Sequence, residues 1–232
     1  MRRLLETLFT AGLLCTWSAE MTTAGTKDLR SASDPNPGQT VGRAEQFRLF
    51  QDRGVARYQQ GRIEEAIDDL TIAIRLNPKS VTALYSRGTA HLFARRYDEA
   101  IVDLSAAIDL YPGQPLAFMN RGSAYSNQRR FDEALSDFNE AIRIDASSSD
   151  AFFNRGLVFY KMHRYDKAID DQTSAISLNQ LNADAYTARG SAWHRLGREV
   201  QAAADYRKAL ALDPRQRLAA DNLLLLAGSR PK

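Results

Sequence analysis

The sequence contains one cysteine, Cys15, in 232 residues. A single cysteine forms no disulfide within the chain and cannot anchor a metal site built from cysteines. Histidine is also scarce, and three histidines without metal-ligand spacing are present: His91, His163 and His194. The stability of the fold must therefore come from packing, and neither a metal nor another cofactor is predicted.

An excess of charge of one sign is absent as well. Lys and Arg total 31 against 28 for Asp and Glu, which gives a formal net charge of +3. The first 46 residues hold five basic and five acidic side chains, so the small excess lies beyond them. Such an excess is too small to indicate a nucleic-acid partner on its own.

Motifs of catalysis are missing from the sequence too. It has no glycine-rich phosphate loop, no nucleophile elbow and no paired metal ligands. A quarter of the residues are charged and 44% are apolar, which is typical of a globular domain. We therefore predict that the protein is not an enzyme.

Long apolar runs are confined to the N-terminus, where an uncharged segment at 7–19 follows a short basic start. As a helix this segment spans about 20 Å, less than the roughly 30 Å of a bilayer core. We therefore expect 1–24 to be a signal peptide that sends the protein to the periplasm or outside the cell. Lipidation of Cys15 and a leader that stays in the cytoplasm are the alternatives. Residues 25–46, rich in Pro, Gly and Ser, predict a flexible linker.

A period of thirty-four residues organises the rest of the chain. The dipeptide Arg-Gly recurs at this interval five times: 53–54, 87–88, 121–122, 155–156 and 189–190. An alanine stands twelve residues after each glycine: Ala66, Ala100, Ala134, Ala168 and Ala202. A second alanine follows seven residues later, from Ala73 to Ala209. Self-similarity at such a period is typical of a solenoid built from repeated units.

These residues resemble the tetratricopeptide repeat (TPR), which has glycine at position 8 and alanines at positions 20 and 27. The five copies are 47–80, 81–114, 115–148, 149–182 and 183–216. Residues 217–228 continue the pattern of a first helix and predict a capping helix, followed by a tail at 229–232. The resemblance implies an all-α fold, a right-handed superhelical solenoid of antiparallel helix pairs. It also implies a scaffold that binds other proteins.

Each copy predicts two helices, A and B, and small residues let the two approach closely. In the fourth copy we expect helix A near 150–162 and helix B near 166–178. Gly156 and Ala168 supply the small side chains there. An acidic residue, such as Asp166, is expected to cap the N-terminus of helix B and to favour its dipole.

An arginine precedes every repeat glycine, and an aspartate follows each arginine after sixteen residues. The aspartates are Asp69, Asp103, Asp137, Asp171 and Asp205. We predict that each arginine pairs with an aspartate of its own or the preceding copy. A row of arginines that bind a ligand is the alternative.

In this family, helix A side chains at positions 2, 5, 6, 9, 12 and 13 line the concave groove, and we call this surface the groove face. The predicted peptide-binding residues on it are Tyr58, Tyr85, Leu116, Met119, Asn120, Phe153, Asn154, Leu157 and Tyr160. Asn120 and Asn154 resemble the asparagine ladder of O-linked N-acetylglucosamine transferase repeats, whose amides hold an extended peptide backbone. The alternative is that Asn154 only bonds the end of a neighbouring helix and that Phe153 packs against the next repeat.

Two further positions leave alternatives open. Position 24 is apolar or aromatic in four copies but is Gln172 in the fourth, either a polar substitution near the surface or a buried hydrogen bond at a contact site. Position 16 is always arginine, and we call these residues the basic edge: Arg62, Arg96, Arg130, Arg164 and Arg198. They form either a solvated turn or a surface for an anionic partner.

The sequence as a whole predicts a non-enzymatic scaffold that binds an extended segment of a protein or peptide partner in the groove. The alternative is an assembly factor or accessory subunit that docks through its convex face or its basic edge. Nucleic acid is disfavoured because no aromatic stacking residues accompany the arginines. No stable membrane span is expected, and self-association is left open.

Overall fold

A computed structural model describes residues 42–228, so the predicted signal peptide, most of the linker and the tail lie outside the described residues. Within 42–228 every regular element is an α-helix, which confirms the predicted all-α class. We number the helices α1 Arg43–Gln59, α2 Ile63–Leu76, α3 Val81–Phe93, α4 Tyr97–Leu110, α5 Pro115–Asn127, α6 Phe131–Ile144, α7 Ser149–Lys161, α8 Tyr165–Leu178, α9 Ala183–Arg195, α10 Glu199–Leu212 and α11 Arg217–Gly228. None of these helices is long and apolar enough to cross a membrane.

The described helices belong to two compact units, 42–144 and 145–228, which we call the N-terminal unit and the C-terminal unit. In the N-terminal unit, α1 packs on α2, α3 on α4 and α5 on α6, and each pair also contacts the next. In the C-terminal unit, α7 packs on α8 and α9 on α10, while α8 contacts α9. Helix α11 packs on α10, where it covers the last pair.

The first helix begins earlier than the repeat pattern predicts. Residues 43–46, which the sequence places in the linker, form the first turn of α1. The guanidinium of Arg43 donates to the carbonyl oxygen of Leu76 from Nε at 3.3 Å and from Nη2 at 3.1 Å. Phe47 and Phe50 then pack against a buried cluster that includes Leu70. Long-range contacts of this kind extend the helix beyond what the periodicity shows.

The N-termini of the helices differ from the prediction. The residue before each of the B helices α2, α4, α8 and α10 is an arginine that makes no capping hydrogen bond. Asp166 lies in the first turn of α8, where it favours the helix dipole but does not cap. True side-chain caps occur instead on three A helices, where Ser80, Ser148 and Asn182 accept from a backbone N–H.

The repeat glycines lie where the two helices of a pair come closest. A Cβ built on Gly88 would lie 2.8 Å from Cγ of Leu104, and one built on Gly54 would lie 2.7 Å from Cγ of Leu70. Any larger side chain would therefore collide with the facing B helix. The close approach offsets the roughly 1 kcal/mol that glycine costs a helix relative to alanine.

All five arginines beside these glycines pair with the aspartate of their own copy. In the second copy, Arg87 donates to Asp103 from Nε and Nη2, each at 2.7 Å. The matching pairs are Arg53–Asp69, Arg121–Asp137, Arg155–Asp171 and Arg189–Asp205. In each pair the aspartate is buried and the arginine about one-fifth exposed. The prediction of a series of partly buried ion pairs is therefore confirmed.

Three of these arginines also donate a hydrogen bond to the preceding copy, a contact that the repeat pattern did not predict. Nη1 of Arg87 donates to the hydroxyl of Thr71 in the preceding copy at 3.1 Å. Arg121 donates in the same way to Ser105, and Arg189 to Thr173. One guanidinium thus holds the B helices of two successive copies.

His91 replaces the arginine Arg57 at the equivalent place in the second copy, and its surroundings disfavour its charged form. Its Nδ1 is buried without a hydrogen-bond partner among residues 42–228, while Nε2 lies 3.8 Å from the Asp103 carboxylate. Desolvation lowers the pKa of His91 below its ordinary value of 6.5, although Asp103 opposes this. Arg87 adds to the lowering, since it also faces the ring.

We therefore expect the free energy of unfolding to fall as the pH drops below 6.5. The unfolded chain protonates His91 near that pH, whereas the folded chain does so only at lower pH, so acid favours unfolding. His91→Phe places at position 11 the residue that the fourth copy has there, Phe159. This variant should lack the loss of unfolding free energy that protonation of His91 causes. Urea unfolding at about pH 7.5 and about pH 5 measures it. An equal loss in both proteins would contradict the expectation.

Candidate functional site

In the N-terminal unit, the predicted groove residues form an aromatic and amide network. Asn120 is 6% exposed, and its Nδ2 donates to the hydroxyls of Tyr85 at 3.2 Å and Thr89 at 3.0 Å. Both amide hydrogens are thus used inside the unit. Burial raises the pKa of Tyr85 to about 12, so its hydroxyl stays neutral. Asn120 therefore links α5 to α3, and its N–H groups are committed to that contact.

The other predicted groove residues of this unit differ in exposure. The ring of Tyr58 stands edge-on to Phe93 with 6.1 Å between centroids, and burial raises the pKa of Tyr58. Phe93 is 41% exposed, so this aromatic pair reaches solvent. Leu116 is half-buried, whereas Met119 is buried. Among the predicted groove residues of this unit, Tyr58 with its neighbour Phe93, and Leu116, thus leave apolar surface open to a partner.

In the C-terminal unit, two predicted groove residues serve packing. Phe153 is 2% exposed and Leu157 4%, and both belong to a cluster with Ile176 of α8 and Ala188 of α9. Their rings and methyl groups are covered by the unit itself. The structure therefore assigns Phe153 to the core, while Leu157 packs in the same core cluster and also lines a cavity between α7 and α9.

Asn154 and Tyr160 are placed differently. Asn154 is 3% exposed and its side chain makes no hydrogen bond to any residue that the structure describes, but its amide atoms are not among the buried atoms without a partner. Tyr160 is half-buried, and its ring stands edge-on to Tyr165 at 5.3 Å. Arg195 donates to the Tyr165 hydroxyl at 3.1 Å and stacks on the same ring. Burial raises the pKa of Tyr160, so its hydroxyl remains a neutral hydrogen-bonding group.

Gln172 is a core residue, so its interpretation as a polar substitution near the surface is wrong. It is 1% exposed, and its Nε2 donates to the backbone oxygen of Phe153 at 3.0 Å. Its Oε1 is buried without a partner in the described part of the chain. Gln172 also lines a small cavity of about 10 Å³, partly open to solvent, whose walls include Tyr160 of α7 and Ser191 of α9.

The basic-edge arginines are each engaged within the protein. Three stack on an aromatic ring five residues earlier: Arg130 on Tyr125, Arg164 on Phe159 and Arg198 on Trp193. Arg62 pairs with Glu65, and Arg96 pairs with Glu64 at 2.8 Å. The expectation that no aromatic residues accompany these arginines is therefore wrong, since position 11 is aromatic in these three copies. This arrangement favours the solvated-turn interpretation of the edge.

Comparison with known proteins agrees with this architecture. A family model for the tetratricopeptide repeat matches four overlapping segments: 52–115, 85–151, 119–178 and 153–217. No curated protein matches the sequence. Among solved structures, a crystal structure of MamA protein is 24% identical with a TM-score of 0.66, covering 75% of this chain and 94% of that one.

Two further solved structures are similar. TTC0263, a thermophilic TPR protein of Thermus thermophilus, is 22% identical with a TM-score of 0.64, covering 78% of this chain and 98% of that one. YrrB, described as a TPR protein with an unusual peptide-binding site, is 18% identical with a TM-score of 0.62, covering 75% of this chain and 90% of that one. At these identities the likeness concerns the fold. The family match spans well over half of the sequence and coincides with the paired helices, so the chain belongs to the tetratricopeptide repeat family.

Proposed function

We propose that the protein is a scaffold that binds an extended peptide segment of a partner protein on its groove face. A protein or peptide partner fits the family, whose members serve as interaction scaffolds. YrrB, a similar structure, is described as having a peptide-binding site. The groove face of this chain supplies what such a ligand requires, namely apolar surface and a hydrogen-bonding amide.

The amide of Asn154 is the observation that carries the proposal. Asn154 is 3% exposed, but its amide atoms are not among the buried side-chain atoms that lack a partner, so the amide reaches solvent and is accessible to a guest. An amide offers both a donor and an acceptor, so it matches a peptide bond whatever the guest sequence. The half-buried ring of Tyr160, two turns further along α7, supplies apolar contact beside it.

Docking through the basic edge has weaker support. Its arginines already stack on rings or pair with glutamates, so an anionic partner would have to compete with those contacts. Binding at exposed charges also weakens steeply with salt, whereas apolar contact and amide hydrogen bonds tolerate it. Salt dependence therefore separates the two modes.

A selection of random peptides displayed on phage against the intact protein tests the proposal. For a selected peptide, Asn154→Ala should lower the affinity about tenfold, since hydrogen bonds to a peptide group are lost. Asn179→Ala in the α8–α9 turn is the matched control and should leave binding unchanged. Fluorescence anisotropy at low and moderate salt measures both. Selected peptides that ignore Asn154→Ala but dissociate steeply with salt would overturn groove binding in favour of the edge.

A further inference from the structure

The carbonyl oxygen of Gln172 points to a second element of recognition in the C-terminal unit. The hydrogen bond from its Nε2 to the Phe153 oxygen fixes the orientation of the amide. Exchanging nitrogen and oxygen would place two acceptors against each other at 3.0 Å. Oε1 is therefore the free end, and it has no partner among the described residues.

This amide costs stability that the fold does not require. The four equivalent residues are fully buried and apolar or aromatic: Leu70, Leu104, Phe138 and Tyr206. Leucine in two of these copies packs over the repeat glycine, so leucine would also fit over Gly156. A buried acceptor without a donor destabilises the folded state. The packing of the repeat therefore does not account for Gln172.

The space beside Gln172 is left by a small residue on α9. In the N-terminal unit, position 6 of α5 is Asn120, whose amide fills the space next to α3 by bonding Tyr85 and Thr89. In the C-terminal unit, position 6 of α9 is Ala188, which lines the cavity with Gln172. The alanine has no atoms to reach across, so the room that an asparagine would occupy remains open to a guest.

We propose that this cavity is a subsite that takes a serine or threonine side chain of the bound peptide, whose hydroxyl donates to Oε1 of Gln172. The subsite rests on the proposed groove binding and adds sequence preference to it. The cavity has room for about one water-sized group and Oε1 is itself buried, so the Gln172 side chain must shift slightly toward the cavity for a guest hydroxyl to reach Oε1.

The chemistry of the walls supports a neutral donor. Leu157, Ala168 and Ala188 supply apolar surface, so a charged group entering here would lose its hydration without a counter-charge. An acceptor without a donor selects ligands that bring one, because a site built for a hydrogen bond rejects the analogue lacking it. A serine or threonine meets both conditions, while alanine at the same place would leave Oε1 unpaired.

A double-mutant cycle between protein and peptide tests the subsite. Peptides selected on the wild type should carry serine or threonine at one fixed place, and Ser→Ala there should weaken binding about fivefold to tenfold. With Gln172→Leu the same Ser→Ala change should weaken binding less than about twofold. Gln180→Leu, the same substitution at an exposed turn residue, should behave as the wild type. Gln172→Leu places the residue of the first two copies in the fourth, so the variant is expected to fold.

The outcomes separate this inference from the proposed function. If peptides are selected and depend on Asn154 but show no hydroxyl preference, or if Ser→Ala costs the same in the wild type and Gln172→Leu, the subsite is overturned while groove binding stands. A cavity that holds only a structural water gives that result. If no peptide is selected at all, both the subsite and groove binding are overturned.

Discussion

Asp69→Asn is expected to lower the free energy of unfolding by about 3 kcal/mol. The Asp69 carboxylate accepts from Nε and Nη2 of Arg53, each at 2.8 Å, and from Nη1 of Arg57 at 2.6 Å. Its side chain is 3% exposed, so these arginines replace the water that a free carboxylate would bind. Asparagine keeps the size of the side chain but carries no charge, which removes the buried carboxylate that both guanidinium groups share and leaves Arg57 only the more exposed Glu65 at 3.5 Å.

The adjacent residue provides a matched control for this prediction. Asp68 is exposed to solvent, so Asp68→Asn should change the free energy of unfolding by less than about 0.5 kcal/mol. Urea unfolding followed by circular dichroism at neutral pH compares the two variants. Equal stabilities for Asp68→Asn and Asp69→Asn would show that the ion pairs contribute nothing beyond surface charges.

The sequence period predicts these pairs because it places the arginine of helix A and the aspartate of helix B at the same two positions in every copy. A separation of sixteen residues between arginine and aspartate, repeated five times, holds only if both residues keep one place in the pair. The same period predicts the close approach at each glycine and the helix over 217–228. Features that repeat in register could therefore be predicted from the sequence alone.

Single residues that depart from the repeat could not be predicted in this way. Asn120 and Asn154 share position 6, yet Asn120 donates to two hydroxyls within its unit, whereas Asn154 makes no hydrogen bond within 42–228. Phe153 lies at a groove position but packs into a core cluster. The position in the repeat gives the direction of a side chain, while its partners and its burial depend on the neighbouring residues, which differ between copies.

Gln172 illustrates the same limit for polarity. The pattern shows that a polar residue occupies position 24 in one copy, but it does not show whether the amide is buried. The geometry decides this through one hydrogen bond to the Phe153 oxygen and one acceptor without a partner in the described part of the chain. In each copy the repeat glycine faces the side chain at position 24. Substituting that glycine by alanine therefore tests how the facing side chain, which is an amide at Gln172 and a rigid ring at Tyr206, responds to a new methyl group.

Gly190→Ala is expected to lower the free energy of unfolding by about 2 kcal/mol. A Cβ on Gly190 would lie 2.8 Å from Cε1 and 2.9 Å from Cδ1 of Tyr206, and 3.2 Å from the backbone oxygen of Ala202. The Tyr206 ring is fully buried, so it has no space into which to move. Overpacking of this kind costs about 3 kcal/mol, while the better helix propensity of alanine returns about 1 kcal/mol.

Gly156→Ala is the comparison that identifies the cause. Its Cβ would lie 2.5 Å from Nε2 of Gln172, the end of a flexible side chain that can turn aside at the loss of one hydrogen bond. The added Cβ would also lie 3.1 Å from Cβ of Asp171, which cannot turn aside, so the gain in helix propensity offsets only part of the cost and the net loss should be about 1 kcal/mol, below that of Gly190→Ala. Thermal unfolding of both variants tests the difference. Equal destabilisation by Gly156→Ala and Gly190→Ala would contradict this explanation. The cost would then come from forcing the two helix backbones apart, whichever side chain faces the glycine.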